Sequence, residues 1–367
     1  MKILIAGDWH SELHEQPLYE ALKNIGHDVY KFSWHQYFKL ANANSNPEIS
    51  QKVKEKNFIK NISYRFQNKY MIGPIIYYLN NDLVTKICDL RPDVVFIYRG
   101  SHILKGTLVK IKKLYPTMLI VGYNNDDPFS PYYPKWKWRH FKSSVKIYDL
   151  ILSYRKLNIP EYYSYGAKQV KLFRSWFDKS RHFNTQLTES EKSKYNCDIV
   201  FIGHYENDGR IKYLEEIAKR GWNLKIFGPR EWNRELKKSK YLKKHYPISL
   251  IWGKEYNLAI NGAKIALCFF SKPNRDTYTR RVFEISATKT VLLSEYTDEM
   301  KSLFKPDEEA LYFKSIDEMV LHVNSILNNK NKRIQIENFG NRRVYNDGHE
   351  VNDRAIKLIE YINDLKS

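Results

Sequence analysis

Two arginines and a glutamate in the second half of the chain form its most specific chemical motif. Arg280 and Arg281 precede Glu284 by about one helical turn. Guanidinium groups bind phosphate oxygens bidentately, a helix N-terminus adds partial positive charge, and a carboxylate accepts from ribose hydroxyls. The spacing predicts a nucleotide diphosphate site, and it does not decide which arginine faces the ligand. An Arg281–Glu284 ion pair on the helix surface is the structural alternative.

A glycine loop before this motif is a second candidate for the same ligand. Gly203 and His204 follow the predicted strand 198–203, and Arg210 opens the next predicted helix. Glycine allows close approach of a ligand to the backbone, and the first amides of the helix can bind phosphate. The alternative is an ordinary strand-to-helix turn with a surface arginine.

Two carboxylate-containing loops nearer the N-terminus could provide a general base. Asp8 and His10 follow the first predicted strand, and Asp126 and Asp127 precede a proline. His and Asp side chains can take a proton from an acceptor hydroxyl. Neighbouring residues in an extended stretch point to opposite sides, so we expect only one of Asp126 and Asp127 to face a ligand. As alternatives, these residues are turn, loop and capping residues.

Predicted strands and helices alternate along two parts of the chain, which indicates parallel sheets covered by helices. The predicted strands are 2–6, 28–32, 94–98, 118–121, 150–153, 170–173, 198–203, 224–227, 264–270 and 291–293. A polar stretch separates the two parts. We predict an α/β protein of two Rossmann-like domains facing each other across a cleft: 1–177, a linker 178–195, 196–348, and a C-terminal segment 349–367.

Three segments of the second half carry recognisable motifs: 261–267, 281–287 (Arg-Val-Phe-Glu-Ile-Ser-Ala) and 304–309. They resemble the CgeB-like group of GT-B glycosyltransferases, which are related to spore-maturation proteins and to glycosyl transferases group 1. Asp126-Asp127-Pro128 and 349–354 resemble further motifs of the group. One departure is Lys289, where the group usually has a small residue, commonly glycine.

The resemblance implies a GT-B fold and transfer of a sugar from a nucleotide-sugar to an acceptor hydroxyl, without metal or cofactor. It places the donor in the second domain, with Gly203, His204, Arg210, Arg280, Arg281 and Glu284 as candidate binding residues. The catalytic candidates Asp8, His10, Asp126 and Asp127 would face the acceptor, a glycan, a lipid-linked sugar or a protein, in bacterial surface polysaccharide or glycan biosynthesis. It also implies that the last helix returns to the first domain.

The charge of the chain supports a rival interpretation. The net charge is +20, concentrated in 52–69, 135–146 and 237–244, and 136–141 interleaves aromatic residues with cations. A nucleic-acid-binding or membrane-surface protein without catalysis would have such patches. A nucleotide-sugar 2-epimerase of the same fold is a third candidate. The sequence contains no Walker, GxGxxG or HExxH motif, which disfavours NTPases, nicotinamide oxidoreductases and zinc proteases. We expect a cytoplasmic protein without a membrane span, with contact to the inner face of the membrane as an open possibility.

Overall fold

The computed structural model describes residues 1–10, 13–38 and 62–366. The chain divides into two compact units, Met1–Arg174 with Arg354–Ser367, and Ser175–Asp353. Each unit is built on one parallel sheet, so the predicted α/β fold class with two Rossmann-like sheets is confirmed. Residues 52–61 of the basic stretch 52–69 lie outside the described part of the chain.

The first unit contains a six-stranded sheet in the order β2-β1-β3-β4-β5-β6. Its strands are β1 (Lys2–Gly7), β2 (Asp28–Ser33), β3 (Val94–Tyr98), β4 (Leu119–Asn124), β5 (Leu150–Ser153) and β6 (Val170–Leu172). Its helices are α1 (Glu15–Asn24), α2 (Pro74–Leu90), α3 (Lys105–Leu114), α4 (Arg139–Ser144) and α5 (Asn158–Ser164). The central strands are apolar along their length because helices cover both faces of a parallel sheet.

The strand order of this sheet reverses between β1 and β3. The chain runs from β1 outward to β2 and then crosses to β3 on the other side of β1. The connections that leave two such strands diverge, and they leave a crevice at the carboxyl edge of the sheet. Asp8 follows β1 and Arg99 follows β3, so the fold places both residues at this crevice.

The second unit contains a five-stranded parallel sheet in the order β11-β10-β9-β7-β8. Its strands are β7 (Cys197–Ile202), β8 (Leu224–Phe227), β9 (Ala263–Cys268), β10 (Val291–Glu295) and β11 (Leu311–Phe313). Its helices are α6 (Glu189–Tyr195), α7 (Arg210–Lys219), α8 (Trp232–Lys238), α9 (Gly253–Asn261), α10 (Arg280–Ala287), α11 (Asp298–Leu303), α12 (Ile316–Asn328) and α13 (Lys330–Asn346). The order reverses between β7 and β9, so Gly203 and Phe269 lie at the corresponding crevice.

The last helix, α14 (Val351–Asn363), begins among residues of the second unit, and its residues from Arg354 onward group with the first unit. Within the first unit, the Tyr361 hydroxyl donates to the carbonyl of Leu172 over 3.3 Å. Among the helices that the structure describes, none combines the length and the apolar character that a membrane crossing requires.

One local feature differs from the sequence predictions. Helix α6 lies within the stretch 178–195 that polarity alone indicated as a linker. Thr188 and Glu191 form a reciprocal capping box at its start, and this Thr-x-x-Glu spacing was the available signal for a helix.

Lys289 follows α10 with a φ of 57°, in the left-handed region, where the resembled group usually has glycine. Its side chain is exposed to solvent.

Candidate active site

Asp8 and His10 form a hydrogen-bonded pair at the carboxyl end of β1. The Nδ1 atom of His10 lies 2.7 Å from Oδ2 of Asp8, and Nδ1 of His35 lies 3.4 Å from Oδ1. The Asp8 hydrogen bond raises the pKa of His10, against the opposing effect of partial burial. Burial acts to raise the pKa of Asp8, but His10 and Arg99 lower it below its usual value. The pair therefore presents Nε2 of His10 as a proton acceptor with a carboxylate behind it.

Glu15 holds the loop that carries this pair. Its side chain is buried, and Oε1 accepts a hydrogen bond from the backbone N–H of Trp9 over 3.1 Å. Trp9 adopts a φ of 55°, an uncommon conformation that re-aims the next residue, His10. A Cβ atom on Gly7 would lie 2.4 Å from Oε1 of Glu15, so a side chain at position 7 would displace Glu15. Sequence analysis missed Glu15, because a glutamate that opens a helix is indistinguishable from an ordinary first-turn acid.

Arg99 and Asp126 form an ion pair at the ends of β3 and β4. Their Nη2 and Oδ2 atoms lie 2.5 Å apart, and both side chains are partly exposed. Burial acts to raise the pKa of Asp126, but Arg99 foremost lowers it, so the carboxylate stays ionised. Arg99 has a φ of 67°. Sequence analysis missed Arg99, although a charged residue directly after the apolar run 94–98 and before Gly100 was a usable signal.

Asp127 points away from Asp126 into the protein and is fully buried. Its Oδ1 atom accepts from the backbone N–H of Phe129 and from Nδ2 of Asn158, each over 2.9 Å. A carboxylate enclosed in this way stabilises the loop and does not reach a ligand. We therefore withdraw Asp127 as a candidate base, because its burial and its hydrogen bonds occupy it.

We expect Asp127→Ala to destabilise the protein without a specific effect on catalysis. The variant removes the buried acceptor that Asp127 offers to the Phe129 N–H and to the Asn158 amide, at a cost of about 1–3 kcal/mol. The melting temperature should fall by several degrees, while kcat/KM per folded molecule stays within about threefold of wild type. Loss of activity at unchanged melting temperature would contradict the structural role.

In the second unit, Arg281 lies at the crevice between β7 and β9. Its Nη2 atom is 3.4 Å from the carbonyl oxygen of Phe269, which follows β9. A Cβ atom on Gly203 would lie 3.1 Å from Nη1 of Arg281, so glycine permits this close approach. The pKa of His204 is lowered by partial burial and by the nearby Arg281 charge. Gly203, His204 and Arg281 are thus brought together, as a phosphate site requires.

Arg280 points to a different partner. Its Nε atom lies 2.5 Å from Oε1 of Glu284, and the Glu284 side chain is 1% exposed. Oε2 of Glu284 accepts from the Tyr256 hydroxyl over 2.6 Å. Nδ1 of His182 accepts from the backbone N–H of Asp178, so the proton of this imidazole sits on Nε2, 3.6 Å from Glu284. Burial acts to raise the pKa of Glu284, but the positive charges nearby, foremost that of Arg280, outweigh this effect. The pKa of Glu284 is therefore lowered.

This arrangement changes two expectations about the helix. The ion pair within α10 joins Arg280 to Glu284, and not Arg281 to Glu284. Glu284, a candidate donor-binding residue, is buried, and both of its carboxylate oxygens contact protein groups. Glu284 orients Arg280 in this structure. Thr279, which precedes α10, makes no side-chain cap, so the first amides of the helix have no side-chain acceptor at that position.

Arg210 organises the loop that follows β7. Nε and Nη2 bind the two carboxylate oxygens of Asp208 over 2.8 and 2.6 Å, and Nη1 donates to the carbonyl of His204 over 2.8 Å. The guanidinium is almost fully buried. We therefore assign Arg210 to shaping the loop, because its donors are occupied by protein acceptors.

We expect Glu284→Gln to lower stability near neutral pH. The variant removes the charge that compensates Arg280, and loss of a charge-assisted hydrogen bond costs about 1.5–3 kcal/mol. Because the pKa of Glu284 is lowered in the folded protein, its contribution is present above the unfolded pKa of about 4.3 and is lost as pH falls through the lower folded value. Unfolding in urea at pH 7 and pH 4 should show a smaller difference from wild type at pH 4. An equal difference at both values would contradict the ionic role.

Among the described residues, no group of three or more His, Cys, Asp and Glu side chains is arranged to hold a metal ion.

The architecture of two parallel Rossmann-like sheets matches that of GT-B glycosyltransferases. The fold is similar to sucrose-phosphate synthase of Thermosynechococcus elongatus, with a TM-score of 0.69 and 11% identity over 100% of this chain and 99% of the other. It is also similar to HepE of Anabaena in complex with UDP-glucose, with a TM-score of 0.66 and 10% identity over 99% and 100% of the two chains. A glycosyltransferase of Rickettsia africae has a TM-score of 0.65 and 12% identity over 100% and 98%.

The sequence carries a second, independent similarity. Residues 210–360 match the model of the family described as glycosyl transferase-like. This range contains Arg280, Arg281 and Glu284. No curated protein matches the sequence.

Proposed function

We propose that this protein is a glycosyltransferase that moves a sugar from a nucleotide-sugar donor to an acceptor hydroxyl. The second unit binds the donor and the first unit binds the acceptor. One observation carries the proposal: in each unit, polar and charged side chains converge where the strand order reverses, at Asp8 and Arg99 in one and at His204 and Arg281 in the other. Ligands of open parallel sheets bind at this position.

In the donor site, Arg281 binds the diphosphate, close to Gly203 and the first turn of α10. Arg280, held by Glu284, supplies a second positive charge. Fixed cations and helix amides stabilise the charge that develops on a departing diphosphate. On this proposal the reaction proceeds without a metal ion.

In the acceptor site, His10 acts as general base. Its Nε2 atom takes the proton of the acceptor hydroxyl, and Asp8 stabilises the imidazolium that forms. The acceptor oxygen forms a bond to the anomeric carbon as the bond from that carbon to the diphosphate oxygen breaks. A base that activates the acceptor suits direct displacement, which inverts the anomeric configuration.

We place the acceptor among bacterial surface polysaccharides or other glycans, which rests on the resemblance to the CgeB-like group. The basic surface would suit a lipid-linked acceptor, since cations attract an anionic membrane surface.

A melting-temperature screen against UDP, GDP, CMP and dTDP tests the proposal. One nucleoside diphosphate should stabilise the protein above the others, by about 2.7 kcal/mol at one hundred times its Kd. Salt-sensitive binding of DNA or RNA with no nucleotide effect would favour the nucleic-acid-binding alternative. Conversion of the donor into an isomer without an acceptor would favour the epimerase.

A further inference from the structure

A cavity of about 260 Å³ opens beside Asp8 in the first unit. Its lining includes Asp8, Trp136 and Trp138 with the cations Arg99, Lys137 and Lys69. Drug-sized ligands occupy pockets of roughly 300–1,000 Å³, so this cavity suits about one sugar ring. We propose that it holds the acceptor and that the acceptor ring carries an anionic group, a phosphate or a carboxylate. This inference rests on the proposed function.

Two buried donors at the cavity lack partners among the described residues. Trp138 is 2% exposed, and its Nε1 makes no hydrogen bond to them. The Nε atom of Arg99 is also buried and makes no hydrogen bond to the described residues. The Nη2 atom of the same side chain donates to Asp126. Unsatisfied buried donors are costly, so an acceptor-rich ligand would satisfy both.

Lys137 adds a positive charge that no described carboxylate neutralises by direct contact. Its Nζ atom lies 3.5 Å from the ring centre of Tyr133 and 5.2 Å from that of Trp138. Burial foremost lowers the pKa of Lys137, and the Arg99 charge adds to this effect, against the opposing charge of Asp126. An anion beside Lys137 would restore the stabilisation that water no longer provides. Lys69 contributes a second, exposed cation at the rim.

The same cavity offers a surface for the apolar face of a sugar ring. Trp136 is partly exposed and packs against Tyr70, with their ring centres 4.9 Å apart. An aromatic face provides apolar contact area at low cost in conformational entropy. Asp8 lies at the lining as well, so a ring bound here has its hydroxyls near the Asp8–His10 pair.

Calorimetric titration of the full chain with glucose, glucose 6-phosphate, glucuronate and inorganic phosphate tests this inference. We expect one of the two anionic sugars to bind at least tenfold more tightly than glucose, and which of them does so identifies phosphate or carboxylate as the preferred anion. Both should exceed inorganic phosphate. Lys137→Met should remove most of the advantage of the anionic sugar.

Two further variants make the test specific. Lys135→Met removes an exposed lysine outside the cavity lining and should bind like wild type. Trp138→Phe keeps an aromatic ring but removes the N–H donor, and it should weaken binding of the anionic sugar about three- to tenfold. Melting temperatures establish that each variant is folded.

Equal affinity for glucose and both anionic sugars, absence of binding at 10 mM, or no effect of Lys137→Met in a folded protein would overturn the inference. So would inorganic phosphate binding as tightly as glucose 6-phosphate, since the ring would then contribute nothing. Stabilisation by a nucleoside diphosphate is measured separately, so failure here leaves the proposed glycosyltransferase activity standing.

Discussion

Replacement of His10 by alanine should lower the rate of sugar transfer by about 10²–10⁴-fold, because the variant loses the general base. Binding of the nucleoside diphosphate should stay unchanged, since the donor site is built from residues of the second unit. Steady-state kinetics with calorimetric binding of the nucleotide separates the two effects. His27→Ala is a matched control, because His27 belongs to the same unit but interacts with the N-terminal amine.

The pH dependence of transfer gives a second readout of this pair. The Asp8 hydrogen bond raises the pKa of His10, so the base is protonated and activity falls as pH drops through a value above the usual 6.5. Asp8→Asn should shift this acidic side of the pH–rate profile to lower pH and should also lower the maximal rate. An unchanged acidic side in Asp8→Asn, or a full rate in His10→Ala, would assign the base to another residue.

The second large effect should come from Arg281→Ala. Loss of a charge-assisted contact to the diphosphate costs about 1.5–3 kcal/mol, which is roughly a ten- to hundredfold loss in donor affinity and in kcat/KM. We expect the fold to persist because the hydrogen bond from Arg281 to the Phe269 carbonyl, over 3.4 Å, is long and therefore weak. Calorimetry with the nucleoside diphosphate and kinetics at low donor concentration measure the loss.

Arg234→Ala provides the control for this variant. Arg234 belongs to the same unit, and its side chain is 82% exposed on α8. It should bind donor like wild type. If Arg281→Ala also bound donor like wild type, the diphosphate would lie elsewhere.

The sequence predicts the strands of the two sheets better than it predicts the contacts between side chains. Buried parallel strands such as 94–98 are continuous apolar runs, so their positions follow from composition. Helix α6 was missed because it is short, carries mostly charged residues and buries only Tyr195. Its capping box predicts a helix start, but the polar composition of the stretch indicated a linker.

The candidate residues divide according to contacts that are not local in sequence. Asp126 and Asp127 are adjacent, yet Arg99 and Asn158 decide which of them faces outward, and both partners come from distant segments. From spacing, the alternative ion pair on α10 was Arg281 with Glu284. Tyr256, from α9, binds Glu284 and fixes the carboxylate where Arg280 reaches it. Such choices depend on tertiary packing, which periodicity does not encode.

The most direct test of the glycosyltransferase activity is NMR spectroscopy of nucleotide-sugars labelled with ¹³C at the anomeric carbon. Each of the UDP, GDP, CMP and dTDP sugars is incubated with protein and a mixture of neutral and anionic monosaccharides, with water as a slow default acceptor. We predict that the donor whose nucleotide raises the melting temperature loses its anomeric signal, releases that nucleotide and yields a new anomeric signal, at least a hundredfold more slowly in His10→Ala. Anomeric signals that persist for every donor, as in samples without protein, would contradict the account.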